Sequence, residues 1–196
     1  MLSIVVLISG SGSNLRTLLE ACDNPMFPAR ILAVGSDNPA DGLEHSEQFG
    51  IPTFVVEPGR FATREEWAEQ LLEQIGFMNP DLIVLAGFMK VLPANFVNAL
   101  YPSIINLHPS RLPQFPGAHA IRDALAAGVS VTGATVHVVD TGVDTGPVIA
   151  QVEVPIRPGI SESELQEEIK AVEREQLVDV VRKIALGEIK LEEIAK

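Results

Sequence analysis

The chain has 196 residues, of which 46% are hydrophobic and 20% are charged. These values predict one globular domain over residues 1–196 and exclude a disordered or fibrous protein. The net charge of -12 argues against a nucleic-acid partner, because nonspecific attraction to phosphate groups needs a basic surface.

Cysteine content and hydropathy exclude further classes. Cys22 is the only cysteine, so the chain can form neither an internal disulfide nor a cysteine-based zinc cluster. No two histidines have metal-ligand spacing on one helix, and we expect no metal. The opening apolar run, 2–8, lacks a basic flank and is too short to cross a bilayer. We therefore expect a cytoplasmic protein with no membrane partner.

The first half of the chain alternates between apolar runs and amphipathic patterns. The apolar runs, bounded by turn residues, predict strands at 4–8, 31–34, 53–56, 82–86 and 104–107. The amphipathic patterns predict helices at 14–21, 42–49, 63–75 and 93–100. Thr63 and Glu66 have the spacing of a capping box at the start of the third helix.

The pattern changes after Gly128. Two β-rich segments, 131–139 and 148–154, predict an antiparallel addition at one edge of the sheet. Residues 161–186 predict a long closing helix that begins with a capping box formed by Ser161 and Glu164. The expected fold is α/β: a mainly parallel, twisted, Rossmann-like sheet with helices on both faces.

The segment 9–14, Ser-Gly-Ser-Gly-Ser-Asn, follows the first strand and opens a helix. Its glycines allow close backbone approach, and free N–H groups at a helix start favour an anion such as phosphate. No Gly-Lys-Ser/Thr follows, and Leu15 replaces the third glycine of a dinucleotide fingerprint. Asp37 nevertheless stands where a ribose-binding acid would lie. A phosphate site, a dinucleotide site and a structural turn all remain open.

Asn106 and His108 lie two residues apart at the end of a predicted strand, so their side chains point to the same side. Pro109 biases His108 toward an extended conformation. An amide beside an imidazole can stabilise an oxyanion and move a proton. The alternative is a hydrogen-bonded core histidine beside a turn asparagine.

The turn-rich loop 140–147 places Asp140 and Asp144 between the two late β segments. One of these carboxylates could reach His108, hold its tautomer and raise its pKa. Asp and Gly are also ordinary turn residues, so the loop sequence alone does not distinguish a functional role from a structural one. The segment 109–117 is the best candidate for a mobile loop at the site.

The other three histidines have less support as functional groups. His45 lies in a polar helical segment and is expected at the solvated surface. His119 stands at a predicted helix start, either near the site or as a local hydrogen bonder. His137 alternates with valines, so its side chain is expected to face either the core or the pocket, and structural support is slightly favoured.

Four segments, 8–15, 85–92, 106–110 and 140–151, together resemble glycinamide ribonucleotide formyltransferases over nearly the whole chain. The resemblance implies transfer of the formyl group of 10-formyltetrahydrofolate to the amine of 5′-phosphoribosylglycinamide, without a metal. It implies that Asn106, His108 and Asp144 are the catalytic group. The expected partners are these small molecules, and the chain is expected to be a monomer or a homodimer.

The same resemblance implies the binding residues. The acceptor ribonucleotide would be held by Gly12, Ser13, Asn14, Lys170 and Glu173. The folate would be bound by Arg64, Met89, Lys90, Val91, Leu92, Asn106, Asp140, Thr141, Gly142, Val143 and Asp144. Many relatives have Arg where this chain has Lys90, which leaves the role of that side chain open.

Related enzymes give two alternatives. Formyltetrahydrofolate hydrolases and methionyl-tRNA formyltransferases resemble this chain in the Asn, His and Asp set but use water or a charged tRNA as acceptor. The extra domains expected of them are not seen in these 196 residues, and the -12 charge argues against tRNA. A more distant alternative is a dinucleotide-binding protein that uses Gly10, Gly12 and Asp37.

Overall fold

The computed structural model describes residues 1–196 and contains one seven-stranded sheet with helices on both faces. The strands are β1 (Leu2–Ile8), β2 (Ala29–Ser36), β3 (Thr53–Val55), β4 (Leu82–Leu85), β5 (Ile104–His108), β6 (Val131–Val138) and β7 (Val148–Pro155). The helices are α1 (Ser13–Asp23), α2 (Leu43–Gln48), α3 (Arg64–Gly76), α4 (Ala94–Leu100), α5 (Ala120–Ala126), α6 (Glu162–Ala185) and α7 (Leu191–Ile194).

The strand order is β3-β2-β1-β4-β5-β6-β7, and the first five strands in this order are parallel. The chain moves outward from β1 to β3 and then returns to place β4 on the other side of β1. In open α/β sheets ligands bind beyond the carboxyl ends of the strands at such a reversal. The loops that follow β1 and β4 therefore mark the expected crevice.

Two apolar layers cover the sheet, which explains the continuous apolar run in β1. Ile4, Val6 and Ile8 face the layer built by α1, α6 and α7, whereas Val5 and Leu7 face the layer built by α3 and α4. All five side chains are fully buried. The α/β fold with a mainly parallel sheet is confirmed.

The predicted antiparallel addition is confirmed as β6 and β7 at one edge of the sheet. Strand β6 pairs with β5 in a register that places Asn106 opposite His137 and His108 opposite Thr135. This register brings His137 beside Asn106 at the end of β5.

The predicted start of the closing helix α6 is confirmed. Ser161 Oγ accepts a hydrogen bond from the Glu164 N–H at 3.2 Å, and the Glu164 carboxylate accepts one from the Ser161 N–H at 2.9 Å. At α3 only half of the predicted box is present. Thr63 Oγ1 accepts from the Glu66 N–H, but the Glu66 carboxylate accepts from the N–H of Ala62 instead of Thr63.

The helix start expected at His119 is confirmed, because α5 begins at Ala120. The sequence patterns missed two short elements: α7 and a 3-10 helix at Pro58–Arg60. Each has four residues or fewer, which is too short for a helical period to stand out. No helix in the chain combines the length and the apolar character that a membrane crossing requires.

Candidate active site

A cleft of about 300 Å³ lies at the carboxyl ends of β1 and β4 and is closed on one side by α6. Its walls are the loop before α1, the segment after β4 and the inward face of α6. The predicted acceptor-side residues all line it: Gly12, Ser13, Asn14, Lys170 and Glu173. We call this space the acceptor cleft.

Backbone amides make the floor of the acceptor cleft suited to an anion. The N–H groups of Ser11, Gly12, Ser13 and Asn14 donate to no acceptor within the protein. Gly12 has φ +70°, a left-handed conformation that glycine adopts without strain. Free amides at the start of an eleven-residue helix, with its dipole behind them, attract a phosphate.

Glu173 reaches the acceptor cleft from α6. Its carboxylate accepts a hydrogen bond from Asn14 Nδ2 at 3.1 Å. Burial raises the pKa of Glu173, and the hydrogen bond from Asn14 together with Lys170 offsets part of that effect. Lys170 is paired with Glu167 at 3.0 Å, so it can turn toward a phosphorylated ligand by exchanging one anionic partner for another.

A second cleft, of about 210 Å³, opens on the other side of the same sheet edge. We call it the donor cleft. Nine of the predicted folate residues line it, together with His108 of the predicted catalytic group: Met89, Lys90, Val91, Leu92, Asn106, Asp140, Gly142, Val143 and Asp144. Thr141 is exposed and Arg64 donates to the Val91 carbonyl oxygen, and neither lines the cleft.

The two clefts adjoin each other. Gly87, Met89, Leu107 and Pro109 line both of them. Ligands in the two clefts would therefore lie side by side, as a direct group transfer requires.

Asn106, His108 and Asp144 meet at this junction. Asp144 Oδ2 lies 3.3 Å from His108 Nδ1, and Asp144 Oδ1 accepts from Asn106 Nδ2 at 3.5 Å. The N–H of Gly117 also donates to Asp144 Oδ2 at 2.7 Å. The structure thus brings the predicted carboxylate to the predicted imidazole.

Both ring nitrogens of His108 face oxygen acceptors, because Nε2 lies 2.8 Å from the Phe115 carbonyl oxygen. Burial lowers the pKa of His108, while the Phe115 carbonyl and Asp144 raise it by less, and His137 lowers it further. The net lowering favours the neutral form of the imidazole. This net direction is opposite to the raised pKa expected from the sequence, because burial outweighs the carboxylate.

Asp144 is held as a carboxylate. Burial acts to raise its pKa, but the contact with His137, the hydrogen bond from the Gly117 N–H and the nearby His108 outweigh burial and leave the pKa below its usual range. Asp144 also has φ +54°, so the loop holds it in a conformation that is uncommon outside glycine.

His137 belongs to the same cluster and lines the donor cleft, so of the two expected positions, core or pocket, its side chain takes the pocket. Its Nε2 lies 3.2 Å from Asn106 Nδ2 and 3.5 Å from Asp144 Oδ1. Its Nδ1 lies 2.9 Å from the Val138 carbonyl oxygen, so Nδ1 carries a proton. The signal that could have found it is the pairing of Asn106 with His137 across β5 and β6.

The side chains of two predicted folate-binding residues, Asp140 and Lys90, bind other residues of the protein. Asp140 accepts from the Gly142 N–H at 3.1 Å and from Thr145 Oγ1 at 2.7 Å, which fixes the loop that carries Asp144. Lys90 pairs with the buried Asp37 at 3.6 Å. Asp37 is thereby occupied, and a ribose hydroxyl would have to compete for it.

The chain is similar to known proteins over nearly its whole length. The formyl transferase family matches residues 2–181. The phosphoribosylglycinamide formyltransferase of Mycobacterium tuberculosis is 44% identical over 182 residues, which cover 93% of this chain and 84% of that protein. The trifunctional purine biosynthetic protein adenosine-3 of Drosophila melanogaster is 43% identical over 173 residues, 87% of this chain and 13% of that protein.

Solved structures agree with the sequence comparisons. The crystal structure of glycinamide ribonucleotide transformylase 1 from Symbiobacterium toebii superposes with a TM-score of 0.92 at 39% identity. The superposition covers 95% of this chain and 89% of that one.

Proposed function

The chain belongs to the formyl transferase family, and from this membership we infer that it transfers a formyl group to the amine of 5′-phosphoribosylglycinamide in purine biosynthesis. It is an enzyme that acts on small molecules, and its formyl donor is folate-derived. The observation that carries the assignment to this site is the cluster of Asn106, His108 and Asp144 beside the wall that two adjoining clefts share.

We assign the acceptor to the cleft beside α1. Its phosphate would meet the free N–H groups of Gly12, Ser13 and Asn14, with Lys170 as the nearby cation. Glu173 would contact the glycinamide part of the substrate. Leu107 and Pro109, which flank His108 in the chain, line the same cleft, so the substrate amine would lie near the catalytic cluster.

We assign 10-formyltetrahydrofolate to the donor cleft. Leu85, Phe88, Leu92 and Val139 give this cleft apolar walls, as a flat aromatic ring requires. The N–H groups of Lys90, Val91 and Leu92 donate to no acceptor in the protein and are available for its polar edge. The formyl group would then lie beside Asn106 and His108.

The proposed reaction needs no covalent enzyme intermediate. The acceptor nitrogen attacks the formyl carbon, a C–N bond forms, and the carbonyl oxygen becomes an oxyanion that Asn106 and His108 stabilise. The bond from the formyl carbon to N10 of the folate then breaks. The proton lost by the attacking nitrogen must reach N10, and His108 is placed to carry it.

The lowered pKa of His108 fits that task. A neutral imidazole can accept the proton from the attacking nitrogen. The developing oxyanion is a nearby negative charge and raises the imidazole pKa at the moment of transfer, and Asp144 stabilises the imidazolium. Because Nε2 faces the Phe115 carbonyl, delivery through Nε2 requires that contact to be exchanged for the substrate.

A hydrolase that passes the formyl group to water would need the donor cleft alone. The acceptor cleft, with free amides and the buried Glu173, favours a phosphorylated acceptor instead. We also propose that residues 1–196 act as one domain, since all seven strands belong to one sheet. A nucleic-acid acceptor is disfavoured by the -12 charge.

The test is a spectrophotometric assay of donor deformylation with and without glycinamide ribonucleotide. Turnover that depends on the ribonucleotide supports the proposed reaction. Turnover without it supports the hydrolase, and no turnover under either condition contradicts both. A His108→Ala variant, checked for folding, should lose at least about a hundredfold in kcat, the lower range for an acid–base group.

A further inference from the structure

Helix α2 packs behind the loop that forms the floor of the acceptor cleft. Two consecutive carbonyl groups of that loop point toward α2. The Gly10 oxygen accepts from the Gly42 N–H at 3.1 Å, and the Ser11 oxygen lies 3.1 Å from His45 Nε2. A carbonyl oxygen can only accept, so Nε2 of His45 carries a proton and donates it.

These contacts set the direction of the amides on the opposite side of the loop. In a trans peptide the C=O of one residue and the N–H of the next point in opposite directions. When His45 holds the Ser11 carbonyl toward α2, the Gly12 N–H is turned away from α2 and toward the cleft. Gly12 N–H has no acceptor in the protein, so it is free for a ligand.

The close packing of α2 on the loop leaves little room for another arrangement. A Cβ on Gly12 would lie 2.9 Å from Gly42 Cα and 3.4 Å from Cδ2 of His45, and a Cβ on Gly42 would lie 2.6 Å from the Gly10 oxygen. His45 is half-buried, contrary to the solvated position expected from its polar helix. Its Nδ1 is buried and has no partner, so Nε2 makes its only hydrogen bond.

We propose that His45 is a positioning residue for the acceptor: by binding the Ser11 carbonyl it orients the Gly12 N–H toward the phosphate of the substrate. His45 touches neither the reacting atoms nor the donor cleft. Its loss should therefore weaken binding of the phosphorylated acceptor and leave donor binding and the chemical step unchanged. The proposal rests on the proposed function, because it needs a phosphate at Gly12.

The test compares His45→Leu with His45→Gln, whose amide can still donate to the Ser11 carbonyl. His45→Leu should raise KM for glycinamide ribonucleotide about fivefold, the effect of one misplaced hydrogen bond, with kcat and the donor KM unchanged. His45→Gln should recover most of that loss. Glu47→Gln, an exposed change on the same helix, is the control for general effects on α2.

A second measurement does not depend on turnover. Inorganic phosphate should stabilise the wild-type protein against thermal unfolding, and His45→Leu should reduce that shift while Glu47→Gln does not. An unchanged acceptor KM in a folded His45→Leu protein overturns the role of His45. Wild-type protein that is stabilised by phosphate but does not turn over the ribonucleotide would instead contradict the proposed function.

Discussion

Ser9 Oγ accepts a hydrogen bond from the backbone N–H of Met89 at 2.7 Å, and this contact ties the loop after β1 to the segment after β4. A second bond, from the Ser9 N–H to the Gly87 carbonyl oxygen at 3.1 Å, reinforces it. Ser9 lines the acceptor cleft, whereas Met89 lines both clefts. One side chain thus holds the walls of the two substrate sites together.

Replacing Ser9 with Ala removes this tie and leaves the Met89 N–H without its partner. We expect KM to rise about fivefold for both the donor and the acceptor, which corresponds to about 1 kcal/mol for one hydrogen bond. Steady-state kinetics with each substrate varied in turn measures the effect. Ser130→Ala, an exposed serine on the surface, should leave both constants unchanged. A rise in only one KM would contradict a shared wall.

The parts of the site that depend on local sequence could be predicted. The glycine-containing loop before α1 and the pair Asn106 and His108 follow apolar strands directly, so the strand pattern places them at the sheet edge. The loop sequence leaves Asp140 and Asp144 as alternative partners for His108, and only the resemblance to known formyltransferases singles out Asp144. No local pattern in the residues around it marks this aspartate.

The role of His137 depends on a non-local feature. Its side chain reaches Asn106 because β6 runs antiparallel to β5 in one particular register, and an alternating strand pattern does not specify its partner. The net pKa direction of His108 likewise depends on burial by the whole fold. The sequence indicates a carboxylate that raises the pKa of His108, but it does not show how strongly burial lowers that pKa.

Asp144→Asn should reduce kcat at least about hundredfold, because the imidazolium formed during transfer loses its counter-charge.

The same substitution should also change the pH profile of activity. If His108 accepts a proton, activity falls as pH decreases through its pKa. Asp144 raises that pKa, so in the variant the acidic decline should move to lower pH. A pH series of kcat/KM, with exposed Asp41→Asn as control, tests this. A decline displaced to higher pH would contradict it.

Gly146 supports the loop that carries Asp144. A Cβ at this position would overlap the Val138 carbonyl group and lie 3.3 Å from the Asp140 nitrogen, so Gly146→Ala must shift the loop. We expect a loss of about 2 kcal/mol in the free energy of unfolding, as for other overpacked sites, and reduced kcat. Gly76→Ala, in α3 with open space around it, should be neutral or slightly stabilising. Urea denaturation of both variants measures the difference.

Glu173 places a carboxyl group in a buried position, so its effect on stability should depend on pH. Burial raises its pKa in the folded protein, which means that the folded state binds the proton more tightly than the unfolded state. The stability that the protonated Glu173 side chain contributes is fully present below the ordinary pKa of about 4.3. It is lost as pH rises through the pKa of the folded protein.

The Glu173→Gln side chain stays neutral and can still accept a hydrogen bond from Asn14 Nδ2. We therefore expect Glu173→Gln to be more stable relative to the wild type at pH 8 than at pH 5. Its KM for the acceptor should rise. Thermal unfolding at the two pH values measures the first effect, and exposed Glu175→Gln on the same helix is the control. An equal stability difference at both pH values would show that Glu173 carries no raised pKa.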